Sequence, residues 1–147
     1  MSVYNHTGQV VTDLERSKRF YQDVLGFKFW YEFKPPEEMV AKLNLLKPPL
    51  GTTACYLTLD GFVLELIHYG VPGITSAYRP RTMTDPGLTH LSIAVDDVQA
   101  TAKKAVAYGG QILEDSDIGI GLFIRDPDGQ LLELLHTSFR ADLPPKP

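Results

Sequence analysis

Apolar positions recur along this chain in two periods, every second residue in short runs and every third or fourth in longer ones. In the run that follows His90, Leu91, Ile93 and Val95 take one face while His90, Ser92 and Ala94 take the other, which predicts a half-buried strand. The run at His6 sets His6, Gly8 and Val10 against Thr7, Gln9 and Val11. Gln9 stands where an aliphatic residue is expected, so it needs a hydrogen-bond partner if buried. Behind each strand the period changes to that of a helix of about three turns. Leu14, Phe20, Tyr21, Val24 and Leu25 form the core stripe of the first helix, and Val98, Ala102, Ala105 and Val106 that of the second. Thr12 with Glu15, and Asp96 with Gln99, have capping-box spacing, and Gly26 and Gly109-Gly110 suit a left-handed C-terminal cap. Strands are predicted to leave the helices over residues 27–33 and 111–114. Residues 56–69 and 122–137 each read as strand, turn, strand, with Asp60-Gly61 and Asp126-Pro127-Asp128-Gly129 at the turns.

The order of elements is therefore the same twice. His90 lies 84 residues after His6, and at that offset, with no gap, Val11 falls on Val95, Asp13 on Asp97 and Gly26 on Gly110. The hairpins FVLELIHY and QLLELLHT share Leu-Glu-Leu-x-His in register, which aligns Glu65 with Glu133 and His68 with His136. The first copy carries 16 additional residues between Tyr31 and Tyr56, where two proline pairs bracket a short helix around residues 37–46. Two copies are too few for a solenoid, so the chain is expected to be one α+β domain over residues 1–147. Its parts are module one at about 3–69, a proline- and glycine-rich linker at 70–87, module two at about 88–137 and a disordered tail at 140–147.

Composition narrows the function classes. A length of 147 residues with 44% hydrophobic and 22% charged residues suits one soluble domain. The formal net charge of −4 gives no electrostatic footprint for nucleic acid or an anionic membrane surface. No apolar run is long enough to span a bilayer and no signal-peptide pattern opens the chain, so a cytoplasmic location is expected. The single cysteine, Cys55, cannot pair within the chain, so a metal site must come from histidine and carboxylate.

Strand periodicity isolates the candidate chemistry. Glu65 shares a face with Val63 and Ile67, and Glu133 with Leu131 and Leu135. A carboxylate flanked by apolar neighbours is costly to bury unless a cation or partner neutralises it. A single strand histidine is as compatible with a hydrogen-bonded core residue, and a single glutamate with a salt bridge. Two histidines, His6 and His90, and two glutamates at repeat-equivalent positions form a set that a borderline divalent ion accepts. His68 and His136 fall on the opposite face and read as structural. Arg79, Arg81 and Arg125 are candidate contacts for a substrate carboxylate or phosphate, against a reading as ordinary solvated charges. Tyr56, Thr58 and Ser92 are candidate cavity-lining polar groups.

Through HTGQVVTDLERSKRFYQDVLGF, LELIHY, GLTHLSIAVDDV and RDPDGQLLELLH, the chain resembles the vicinal oxygen chelate superfamily, also called the glyoxalase/bleomycin-resistance/dioxygenase group, over residues 3 to 137. The resemblance implies two βαβββ modules whose mixed sheets curl around a metal-lined cleft. It implies His6, Glu65, His90 and Glu133 as ligands of one divalent ion (nickel, zinc, cobalt, manganese or iron), a small-molecule substrate and a homodimer. The histidine, glutamate, histidine, glutamate set resembles glyoxalase I, while the long linker and the insertion resemble methylmalonyl-CoA epimerases. Both imply a lyase or isomerase that moves a proton on carbon beside a carbonyl, with Glu133 as the base and Glu65 as ligand or second acid/base. The alternatives are an extradiol-type dioxygenase, which favours a two-histidine, one-carboxylate iron site, and a non-catalytic small-molecule-binding or resistance protein.

Overall fold

The structure is a computed structural model that describes residues 1–142. The chain divides into two compact units, Met1–Ala77 and Tyr78–Pro147, with the boundary inside the expected linker. In the first, β1 (Thr7–Val10) leads through α1 (Leu14–Arg19) and a π-helical turn (Phe20–Val24) to β2 (Lys28–Phe33), and α2 (Glu37–Leu43) precedes the hairpin of β3 (Thr52–Leu59) and β4 (Phe62–Tyr69). In the second, β5 (Leu91–Val95), α3 (Val98–Ala107) and β6 (Gln111–Leu113) precede the hairpin of β7 (Gly121–Arg125) and β8 (Leu131–His136). Each unit holds one four-stranded mixed sheet, ordered β1-β4-β3-β2 and β5-β8-β7-β6, so the α+β class and the βαβββ order stand. A 3-10 turn, Thr137–Asp142, runs into the segment expected to be a tail, the rest of which lies outside the described residues.

The pattern that predicts the strands also sorts their faces. Leu64 and Leu66 of β4 and Leu132 and Leu134 of β8 are fully buried beneath their helices, and Glu65 and Glu133 lie on the opposite face. The first strand of each unit runs parallel to the last, which sets Gly8 beside Glu65 and Ser92 beside Glu133. Gln9 finds the partner its position requires, since the Tyr21 hydroxyl donates to its Oε1 at 2.9 Å. At the first hairpin Asp60 and Gly61 have φ of 50° and 81°, the all-positive pair of a type I′ turn.

Three local expectations change. The N-caps are Asp13 and Asp97, one residue later than the capping-box reading. Each has extended backbone, and its carboxylate accepts the amide of Arg16 or Ala100. A short aspartate spans to the third amide of the helix without needing the reciprocal glutamate. Val106 is half exposed rather than in the stripe. At 100° per residue it sits about 80° from Val98, outside the narrow arc that Val98, Ala102 and Ala105 share.

The ungapped repeat is also corrected. Gly26 and Gly109 take the same positive-φ cap position, at 78° and 90°, so the first helix is one residue longer than the second. The second ends in a Schellman pair, Gly110 N–H to Ala105 C=O and Gly109 N–H to Val106 C=O. In the first, both bonds reach one residue further, Phe27 N–H to Tyr21 C=O and Gly26 N–H to Gln22 C=O. The π-helical turn absorbs the additional residue, and Phe20 and Tyr21 are both fully buried there.

The insertion is held by one side chain. The Glu37 carboxylate accepts the backbone amides of Leu50, Gly51 and Thr52 at 2.7, 2.8 and 3.3 Å, tying the start of α2 to the start of β3. Val40, Ala41 and Leu50 pack together beneath it. These amides, that of Leu50 first, hold the Glu37 pKa below its ordinary 4.5. A depressed carboxylate pKa adds stability that is present above the unfolded value and is lost as pH falls from there through the lower folded value. Glu37→Gln is therefore expected to lower the thermal midpoint by a few degrees at pH 7, with the gap to wild type closing below pH 4.5. Thermal scans across pH check this, and a gap independent of pH contradicts the account.

Candidate metal centre

Each unit brings its histidine and glutamate together. His6 stands at the start of β1 and Glu65 in the neighbouring β4, with Nε2 and Oε2 3.0 Å apart. His90 stands at the start of β5 and Glu133 in β8, with the same atoms 3.5 Å apart. The side chains are partly shielded, at 33% and 15% exposure in the first pair and 24% and 26% in the second. Among the described residues no three histidine, cysteine, aspartate or glutamate side chains gather at one point, so each unit presents a two-ligand half-site.

The outer nitrogens are held as well. His6 Nδ1 contacts Asn5 Oδ1, and His90 Nδ1 lies 2.8 Å from Thr89 Oγ1. An amide oxygen only accepts, so the Asn5 contact places a proton on His6 Nδ1. The other ring nitrogen, Nε2, faces the Glu65 carboxylate. An imidazole nitrogen opposed to a carboxylate oxygen is an ion pair when the ring is protonated and a pair of ligands for a cation when it is not. Two ligands about 2.1 Å from one ion, at angles of about 90° to 109°, stand about 3.0 to 3.4 Å apart. The first pair, at 3.0 Å, has that spacing and the second, at 3.5 Å, stands just beyond it, so both are within a small side-chain adjustment of holding a divalent metal.

The pairs differ in their third neighbour. Tyr56 is in register with Glu65 and donates its hydroxyl to Oε1 at 2.8 Å. Burial, followed by donation to the Glu65 carboxylate, raises the Tyr56 pKa well above its ordinary value, so the phenol stays a donor. The equivalent neighbour of Glu133 is Phe123, whose ring meets His90 edge-on with centroids 5.1 Å apart. Of the other candidates, Ser92 is exposed beside Glu133, and Thr58 lies in β3 opposite Val63.

Several basic and polar candidates serve the scaffold. Arg81 donates to the carbonyls of Leu88, Asp85 and Pro86, and Arg125 to the Tyr78 hydroxyl and the Gly129 carbonyl. Those bonds engage the guanidinium groups within the fold, while Arg79 is exposed. His136 Nδ1 accepts the Ser138 amide at the start of the last 3-10 turn, in keeping with its structural reading. Cys55 is buried, and burial pushes its thiol up to about 11. Sequence reasoning missed Asn5, Thr89 and Phe123. A polar residue directly before each repeat histidine was the available signal for the first two.

Comparison with known proteins gives the family. The profile of the Glyoxalase/Bleomycin resistance protein/Dioxygenase superfamily matches residues 3–134. The chain is 31% identical over 137 residues to a lactoylglutathione lyase of Haemophilus influenzae, covering 90% of each chain. Its structure is similar to the trypanothione-dependent glyoxalase I of Leishmania major, with a TM-score of 0.67, 28% identity and coverage of 93% of this chain and 88% of that one. It shares the fold of a fosfomycin resistance protein of Listeria monocytogenes complexed with Mn(II) and sulfate, with a TM-score of 0.62, 17% identity and coverage of 92% and 93%. The chain belongs to the Glyoxalase/Bleomycin resistance protein/Dioxygenase superfamily and is an enzyme of the glyoxalase family.

Proposed function

We propose that the protein is a divalent-metal-dependent lyase or isomerase that moves a proton on carbon adjacent to a carbonyl of a small molecule. His6, Glu65, His90 and Glu133 supply the metal ligands in this reading. The observation that carries it is the repetition, in both units, of an imidazole Nε2 opposed to a carboxylate oxygen at a spacing one ion spans. The lactoylglutathione lyase likeness favours the thioester of a 2-hydroxy acid as product, formed from the adduct of a thiol and a 2-oxoaldehyde.

That conversion is an internal redox isomerisation. A proton leaves the carbon bearing sulfur and hydroxyl and one arrives on the neighbouring former carbonyl carbon, while the hydroxyl proton is lost from the first oxygen and one is gained by the second, with no net change in atoms. A divalent ion held by these residues would supply Lewis acidity where negative charge develops on the substrate. His6 and His90 donate Nε2, with Asn5 and Thr89 orienting the rings from behind. Glu133, whose polar partner among the described residues is His90, accepts the proton and returns it. Glu65 is held by Tyr56 and acts as the fixed carboxylate.

The test is protein stripped of metal and then loaded separately with nickel, zinc, cobalt, manganese or iron. Thioester formation from methylglyoxal and glutathione is followed for each, beside proton exchange in a 2-methyl-branched acyl thioester. Isomerisation that appears only with metal supports the proposal. Metal-dependent oxygen consumption with a catechol, and no proton exchange, defeats it in favour of a dioxygenase. The mass in solution and the metal count per chain test the homodimer.

A further inference from the structure

The two half-sites stand at the same place in the two sheets, yet one carboxylate is tethered and the other is not. Tyr56 lies opposite Glu65 in β3, and its hydroxyl donates to Oε1 while Oε2 faces His6. Both oxygens of Glu65 are thereby assigned. The Tyr56 ring is itself held, stacked on Tyr31 with centroids 4.7 Å apart and planes 8° apart, and edge-on to His6 at 5.6 Å and 88°. Rotating Glu65 away from His6 therefore breaks a hydrogen bond whose donor is held in place by its neighbours. In β7 the same register position is Phe123, which has no hydroxyl to offer Glu133. Glu133 Oε2 lies 3.5 Å from His90 Nε2, a looser contact than the 3.0 Å of the first pair.

We propose that Tyr56 is a positioning residue that locks Glu65 into a permanent ligand role, and that Phe123 completes the device by leaving Glu133 free to move a proton. The proposal rests on the metal reading above. It assigns the two carboxylates different work through a difference of one hydroxyl group between equivalent strands.

The test compares wild type, Tyr56→Phe and Phe123→Tyr, each stripped and reloaded with Co(II). Tyr56→Phe is expected to keep the thermal midpoint of the metal-free protein, to weaken Co(II) binding about tenfold, and to alter the visible d–d spectrum as Glu65 changes its mode of binding. Phe123→Tyr is expected to bind Co(II) at least as tightly and to lose about tenfold or more in kcat with KM little changed, because its new hydroxyl tethers Glu133. Unchanged affinity and spectrum in Tyr56→Phe overturn the tether, as does a loss confined to metal-free stability. Wild type that takes up no Co(II) overturns the metal centre and the tether together, which separates the two failures.

Discussion

Glu133→Gln is expected to retain its metal and lose between about 10² and 10⁴ in kcat, the usual range for removing a general base. Glutamine preserves the length and the acceptor oxygen of glutamate, so it still reaches an ion beside His90. Its neutral amide cannot accept a proton from carbon. The expectation is sharper for Glu133 than for Glu65 because the two have different surroundings. Glu65 is engaged by Tyr56 at 2.8 Å and faces His6 at 3.0 Å, whereas Glu133 meets His90 at 3.5 Å beside the ring of Phe123. Steady-state kinetics with metal analysis of the same samples check the result. A variant with full metal and full proton-exchange activity removes Glu133 from the role.

His6→Ala and His90→Ala are each expected to weaken metal binding by more than the ~10 to 100-fold that losing a hydrogen bond behind a ligand costs. Each removes the one nitrogen ligand of its half-site and leaves a carboxylate facing a gap. The two effects should be similar, since the His–Glu pairs repeat between the units. Thermal shift offers an independent readout. Metal at a hundred times its dissociation constant stabilises wild type by about 2.7 kcal/mol, and that increment should vanish in both variants at the same metal concentration. Equal metal stoichiometry in wild type and both variants removes the histidines from the centre. Loss in only one variant confines the site to one unit.

The candidate ligands were legible because a strand has period two. One glutamate among apolar neighbours in β4, and another in the same setting in β8, declare themselves without coordinates. The helix length difference was not legible. Asp13 and Asp97 align at an offset of 84 residues while Gly26 and Gly109 require 83, and a single added residue costs a sequence comparison almost nothing. Hydrogen bonds that reach one residue further place it in the helix. The partners of the arginines were not legible either. Charge leaves Arg81 and Arg125 open between anion contact and ordinary surface charge, and only the folded loops show the carbonyls they meet.

By itself the sequence determined the two βαβββ copies, the buried faces of β4 and β8 and the four candidate ligands, because these follow from local periodicity and repetition. Tertiary structure alone decided that Nε2 opposes carboxylate in each pair, that Asn5 and Thr89 stand behind the imidazoles, and that the Tyr56 hydroxyl meets one glutamate while Phe123 stands opposite the other. Those relations depend on strand register and side-chain direction between segments distant along the chain. Residue types along one strand carry no record of what the neighbouring strand places opposite them.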